Sequence, residues 1–180
     1  MNDMIFYKTD IGLKHYPHLA VDLGYSRNRP TCGIMHKGIT QPIELQFGNT
    51  ISAVAQWINQ NGRCVLIIEA VLSTFHNEFG NPDFRGGFEQ GRGWYYGPGV
   101  VTFAAAIRFL QILRRQVSRD VPVFLAEAFL SFKKYPSGHA NDAMIIFKRF
   151  WDTRPEEIRA GTEPIKDFIE GVPSVRVFHE

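Results

Sequence analysis

The 180-residue chain predicts an α/β layer fold built on a mixed sheet. Three observations lead there. The first half opens with three short apolar stretches joined by turn residues, as in consecutive antiparallel strands. From residue 51 onward helical patterns alternate with strands, the order expected when helices cover a largely parallel sheet. Two of the later strands, 64–71 (CVLIIEAV) and 121–129 (VPVFLAEAF), are near-continuous apolar runs, as in strands buried on both faces.

Taken in order, 18–25 (HLAVDLGY) is an apolar strand with one acid inside it. Segments 31–36 (TCGIMH) and 43–47 (IELQF) are short strands, separated by Gly38 and Pro42, and Pro30 marks a turn before the second. Asn49 or Thr50 can cap a helix over 51–60, whose Ile51, Val54, Ala55 and Ile58 share one face; Asn61-Gly62 ends it. The 64–71 strand follows. Residues 73–98 are polar, aromatic and glycine-rich, a long loop of the kind that usually carries function. A helix is expected over 99–118, with Phe103, Ile107, Leu110, Leu113 and Val117 as its apolar stripe and Arg108, Arg115 and Arg119 toward solvent. After the 121–129 strand, Ser137 can cap a helix over 138–151 with Ala140, Ala143, Met144, Phe147 and Trp151 on its apolar side. The tail from Thr153 reads as short helices near 155–160 and 164–170 and a terminal strand over 174–178. Short links in the first half suit hairpins; the later helices suit right-handed parallel crossovers.

Composition narrows the function classes. The chain is 44% hydrophobic and 21% charged, too apolar and too mixed in sign for a disordered chain. Its apolar runs fall well short of the roughly 20 residues that span a bilayer, and residues 1–14 lack the pattern of a secretory signal. The two cysteines, Cys32 and Cys64, cannot build a disulfide scaffold or a four-cysteine zinc site. A reduced, cytoplasmic protein with no membrane partner is the expectation. The net charge of +2 is unevenly spread: residues 1–150 hold 16 Lys and Arg against 11 Asp and Glu, residues 151–180 hold 4 against 7. A mildly basic body with an acidic tail admits a polyanionic partner, though this observation alone favours an ordinary solvated surface.

The informative feature is where the carboxylates sit. Asp22 lies in LAVDLG, Glu69 in LIIEAV and Glu127 in FLAEAF, each inside an apolar strand. An isolated carboxylate there costs several kcal/mol unless it is paired, protonated or metal-bound. One such acid could be a paired structural residue; three on separate strands would need three basic partners, and no Lys or Arg lies within these strands. A fourth acid, Asp142, sits near the start of the last main helix in GHANDAMIIF, with His139 three positions before it on the same face. Singly, such an Asp complements the helix dipole and such a His is a surface or capping residue. Beside the strand acids they extend a candidate site. Clustered hard oxygen ligands favour Mg²⁺ or Mn²⁺ over zinc, and two such ions can activate water and stabilise the leaving oxygen of a phosphodiester.

This order of elements and placement of acids resembles the ribonuclease H-like superfamily, over roughly residues 18–151. Asp22 matches its first-strand acid and Glu69 its fourth-strand acid. Asp142, in HANDA, matches the acid on the last core helix and is most similar to the H-x-x-D-A helix of RuvC-type Holliday-junction resolvases. Glu127 resembles an extra strand acid of uncharacterised bacterial and archaeal predicted nucleases of this fold. The resemblance implies a three-layer ribonuclease H-like fold: a mixed sheet, three antiparallel strands then parallel ones, with helices on both faces. It implies a domain over 1–152, with 153–180 as a helical and strand extension packed on it. Two departures matter: resolvases lack a 73–98 loop of this composition, so junction specificity does not transfer, and Glu127 is not a usual resolvase ligand. The DLGYS stretch also resembles the first phosphate loop of actin-like ATPases and sugar kinases, but those need a second comparable domain.

Within the loop, Arg85 and Arg92 can hold phosphates while Trp94, Tyr95 and Tyr96 stack bases; alternatively the aromatics pack the loop on the sheet and the arginines are solvated. Lys133 and Lys134, just beyond the Glu127 strand, are near the site by topology. Nucleophile motifs are missing: Ser26 and Ser73 have no G-x-S-x-G elbow, no H-E-x-x-H occurs, and Cys32 and Cys64 read as core thiols.

The expected function is therefore metal-dependent phosphodiester hydrolysis, a nuclease with Mg²⁺ or Mn²⁺ held by Asp22, Glu69 and Asp142, with Glu127 as a fourth ligand or orienting one, and with His139 positioning water or carrying a proton. The substrate-binding candidates are Arg85, Arg92, Trp94, Tyr95 and Lys133. DNA, RNA and a small phosphoester are not separated by the sequence, and the resolvase likeness admits a homodimer. The alternatives are a non-catalytic nucleic-acid- or protein-binding module on the same fold, and a small nucleotide-binding phosphotransferase.

Overall fold

A computed structural model describes residues 15–26, 28–70, 98–118, 120–128, 137–152, 159–160 and 174–177. The elements run β1 (His18–Leu23), β2 (Cys32–His36), β3 (Ile43–Leu45), α1 (Phe47–Asn61), β4 (Cys64–Glu69), α2 (Pro98–Gln116), β5 (Val123–Ala128), α3 (His139–Asp152), β6 (Arg159–Ala160) and β7 (Ser174–Val177). The sheet order is β3-β2-β1-β4-β5, continued by β7 and β6. β1, β2 and β3 form an antiparallel meander. β4 then pairs parallel with β1, and β5 parallel with β4, so the mixed α/β sheet expected from the sequence is present.

Strand alternation divides the core into two layers. Leu19, Val21 and Leu23 of β1, with Leu66 and Ile68 of β4, pack under α1 and α2 against Ile51, Val54, Ile58, Ala106 and Phe109. Ala20, Val65, Ile67 and Ala126 face the other way, against Ala143, Ile146, Phe147 and Phe150 of α3. Because β1 and β4 are buried on both faces, their sequences carry no polar alternation. No helix among the described residues is long and apolar enough to cross a membrane.

Several boundaries differ from the sequence expectation. α1 begins at Phe47, and Gln46 stands at its N-cap without a side-chain hydrogen bond. Asn49 and Thr50 therefore lie inside the first turn, where the Thr50 hydroxyl donates to the Gln46 carbonyl at 3.0 Å. The extra turn follows from the Phe47 ring, which packs edge-on against Phe109 at 5.9 Å and Tyr25 at 5.1 Å. At the other end, Gly62 adopts φ 71° and its N–H bonds Ile58 O, as the Asn-Gly pair indicates. The buried stripe of α2 is Ala105, Ala106, Phe109, Leu110 and Leu113, with Phe103 and Ile107 half-buried, so the helix is rotated from the expected stripe. Two alanines let it approach the sheet while Phe109 fills the gap beside them. In the tail, Arg159 and Ala160 are a strand and not a helix. They pair antiparallel with Arg176 and Val175 of β7, whose free edge they take up. β7, in the region expected as a terminal strand, pairs parallel with β5. The helix expected near 164–170 lies outside the described residues.

Candidate metal centre

The site forms at the carboxyl ends of the two central parallel strands, where open α/β sheets place ligands. Alternation along β1 puts His18, Ala20 and Asp22 on the α3 face, and alternation along β4 puts Val65, Ile67 and Glu69 there too. Strand register then makes Asp22 and Glu69 direct neighbours. α3 lies across this face of β1 and β2, and its first turn delivers His139 and Asp142 to the same place.

Two glycines permit that approach. Gly33 is the β2 partner of Asp22, and a Cβ there would overlap the His139 carbonyl and the backbone of the first α3 turn. A Cβ at Gly24 would overlap the Thr31 carbonyl and meet His139 Cε1 at 3.0 Å. The helix start therefore rests on bare backbone beside Asp22, closer than any side chain would allow.

Asp22, Glu69 and Asp142 each offer an oxygen, and the three oxygens lie within 4.8 Å of one another. Asp22 and Asp142 are buried, at 5% and 4% exposure, and Glu69 is half-buried. Their orientations are held by hydrogen bonds. His139 Nδ1 lies 2.7 Å from Asp22 Oδ2, and the Ser137 hydroxyl donates to Asp142 Oδ1. The Ser137 side chain, expected to cap this helix, thus bonds a carboxylate of its first turn. The N-terminus of α3 is met by Glu44 of β3, whose Oε1 accepts from Ala140 N–H at 3.3 Å. The positive end of the α3 dipole points at this acidic surface.

Ionised together at this spacing, each pair of carboxylates repels by about 3.5 kcal/mol at an effective dielectric of ~20. A divalent cation reverses that sign for all three at once, and an all-oxygen donor set is the set that Mg²⁺ or Mn²⁺ takes. The residues present therefore fit such an ion.

The structure brings together Asp22, Glu69, Asp142 and His139 from the sequence candidates. Glu127 lies on the adjacent strand, where its backbone pairs with Ile68; the residue paired with Glu69 is Ala128. Arg85, Arg92, Trp94, Tyr95 and Lys133 lie outside the described residues. Both cysteines are buried. Burial pushes the Cys64 thiol up to about 12 and raises that of Cys32, so neither supplies a thiolate near neutrality. Sequence reasoning missed Glu44 and Gly33. Both sit in the row that runs across the sheet through Asp22 and Glu69, a relation that strand pairing alone creates. Comparisons with protein-family models, curated proteins and solved structures return no match.

Proposed function

We propose that the chain is a metal-dependent phosphodiesterase that cleaves nucleic acid, with Asp22, Glu69 and Asp142 holding Mg²⁺ or Mn²⁺. The observation that carries this reading is the convergence of three carboxylates within 4.8 Å on two buried strands and a helix start. A bound ion would supply an activated water and charge stabilisation for the leaving oxygen. The chain's own groups have separable tasks. Asp22 and Asp142 are fixed ligands, oriented by His139 and Ser137 respectively. Glu69, more exposed, stands on the solvent side of the cluster. The ribonuclease H-like likeness of the sequence and the basic balance of residues 1–150 support a polyanionic substrate.

Labelled single-stranded, duplex and branched DNA and RNA, incubated with Mg²⁺ or Mn²⁺, test the reading. Metal-dependent cleavage that disappears in Glu69→Gln while binding persists is the expected result. Salt-sensitive binding without cleavage under either metal would replace the enzyme with a binding platform on the same fold. Failure of every nucleic acid to bind at low salt would refute both.

A further inference from the structure

A concavity opens at the end of the sheet opposite the carboxylates. It measures about 570 Å³ and lies between the start of β1, the β2–β3 turn and the end of α1. Along β1, the four-residue step from His18 to Asp22 spans about 13 Å, so this cavity and the carboxylates occupy separate ends of the molecule. Its size falls within the roughly 300–1,000 Å³ of small-molecule sites.

The walls have one chemical character. Among the described residues they include Lys37 and no Asp or Glu, so an anion meets no repelling neighbour among them. Besides His15 and His18, three ring systems line it: Tyr16, His36 and Trp57. Each is held in place. Tyr16 stacks on Phe124 at 5.3 Å, and its hydroxyl accepts from Arg63 Nη1 at 3.3 Å. The His36 ring packs 5.6 Å from Trp57, and its Nδ1 accepts from Gly38 N–H at 3.0 Å. That bond leaves the Nε2–H of the neutral ring as the donor. Gln60 and Asn61, both exposed at the end of α1, add side-chain amides at the rim, groups that pair with the donor and acceptor edges of a heterocycle. A planar ring system with an anionic tail uses all of these features together, and a purely apolar or cationic molecule uses few of them.

We propose that this cavity binds a nucleoside phosphate, its base against Trp57 and His36 and its phosphate toward Lys37. The unit is either a free nucleotide or the end of a strand. The site is independent of the carboxylate cluster and goes beyond the proposed hydrolysis.

Isothermal titration of the full chain with AMP, adenosine and inorganic phosphate, all in EDTA, tests the assignment while excluding metal-bridged binding at the carboxylates. AMP should saturate one site, more tightly than either fragment. Lys37→Glu, at an exposed turn position, should weaken AMP by about tenfold or more through charge reversal and leave adenosine unchanged. Trp57→Leu should weaken AMP and adenosine alike by about tenfold, the loss expected for a stacking face. Trp57 packs partly against the core, so circular dichroism checks its fold and Gln60→Ala serves as the exposed second variant, with a smaller loss. A 5′-phosphorylated oligonucleotide that binds much more tightly than AMP, and is equally sensitive to Lys37→Glu, assigns the site to strand ends; equal affinity assigns it to free nucleotides. The proposal is overturned if AMP does not saturate, if phosphate alone binds as well as AMP, or if Lys37→Glu leaves AMP affinity unchanged.

Discussion

Glu69→Gln should make the metal-free protein more stable and at the same time abolish its response to metal. The substitution keeps the side-chain shape and removes one negative charge from a cluster whose oxygens lie within 4.8 Å. Two repulsions vanish, each about 3.5 kcal/mol at an effective dielectric of ~20. Glu69 is half-buried, so solvent screening reduces both, and a net gain of about 1–3 kcal/mol is expected. At 2–4 °C per kcal/mol for a chain of this size, Tm in EDTA should rise by about 2–12 °C. The wild type behaves oppositely when Mn²⁺ is added. At a hundredfold excess over Kd, binding to the folded state alone contributes about 2.7 kcal/mol, or about 5–10 °C. Differential scanning fluorimetry in EDTA and across an MnCl₂ titration reads both quantities from one plate. The reasoning fails if Glu69→Gln lowers Tm in EDTA and keeps the full Mn²⁺ shift. The three acids would then be neither mutually repelling nor ligands to one ion.

Three further substitutions probe the frame around the cluster. Gly33→Ala should cost about 1–3 kcal/mol as an overpacking change and weaken the Mn²⁺ shift with it, because the added methyl lifts the first α3 turn, and Asp142 with it, off the sheet; urea denaturation with and without Mn²⁺ separates the two effects. Phe109→Ala, at a fully buried position on the opposite layer, should cost about 3–5 kcal/mol and leave the Mn²⁺ shift intact in the same assay. His18 titrates below its usual range, chiefly through burial and further through Lys37, against the opposing hydrogen bond to the Tyr16 carbonyl. The unfolded chain therefore binds a proton that the folded chain refuses, and stability falls as pH drops below about 6.5, by up to about 1.4 kcal/mol per pH unit for one histidine. His36, also lowered by burial, adds to the slope. His18→Phe, which keeps the ring contacts to Phe147 and Phe150, should flatten that acid limb in urea melts from pH 7 to 5; an unchanged slope would remove His18 from the account.

The parts of the fold that were legible are those whose pattern is local. β4 announces itself because burial on both faces leaves five consecutive apolar positions, and Glu69 stands out against them. Asp22 stands out in β1 for the same reason. His139 and Asp142 are three apart on a helix, a spacing that fixes their common face before any tertiary contact is known. The start of α1 was not legible, because Phe47 is recruited into the helix by packing against Phe109, 62 positions later in the sequence. Glu44 was hidden because IELQF is a short, polar strand in which an acid is unremarked; its contact to Ala140 exists only once α3 crosses β2 and β3. The register between β4 and β5 is equally non-local. Both strands end in an apolar run with one acid, yet the pairing is Glu69 with Ala128 and Ile68 with Glu127. A one-residue offset reverses which positions share a row, and nothing within either strand encodes it.

The glycine row explains how a small sheet tolerates so much negative charge at one point. Asp22, Gly33 and Glu44 lie side by side on β1, β2 and β3, with Glu69 on the far side of Asp22. A side chain at the central position would hold α3 away from the sheet. Without it, the helix start settles between two acids, offering its Ala140 N–H to Glu44 and its His139 ring to Asp22. The same turn that hydrogen-bonds these carboxylates also introduces a new one, Asp142. The fold thus uses the start of one helix to assemble acids that would otherwise drive each other apart, at the place where the proposed divalent cation would sit. A mutation that straightens this row should therefore disturb folding and metal affinity in proportion, whereas one in the α1–α2 layer should disturb folding alone. Gly33→Ala and Phe109→Ala differ in that ratio, and the ratio is a property of the arrangement that neither stability nor affinity reveals singly.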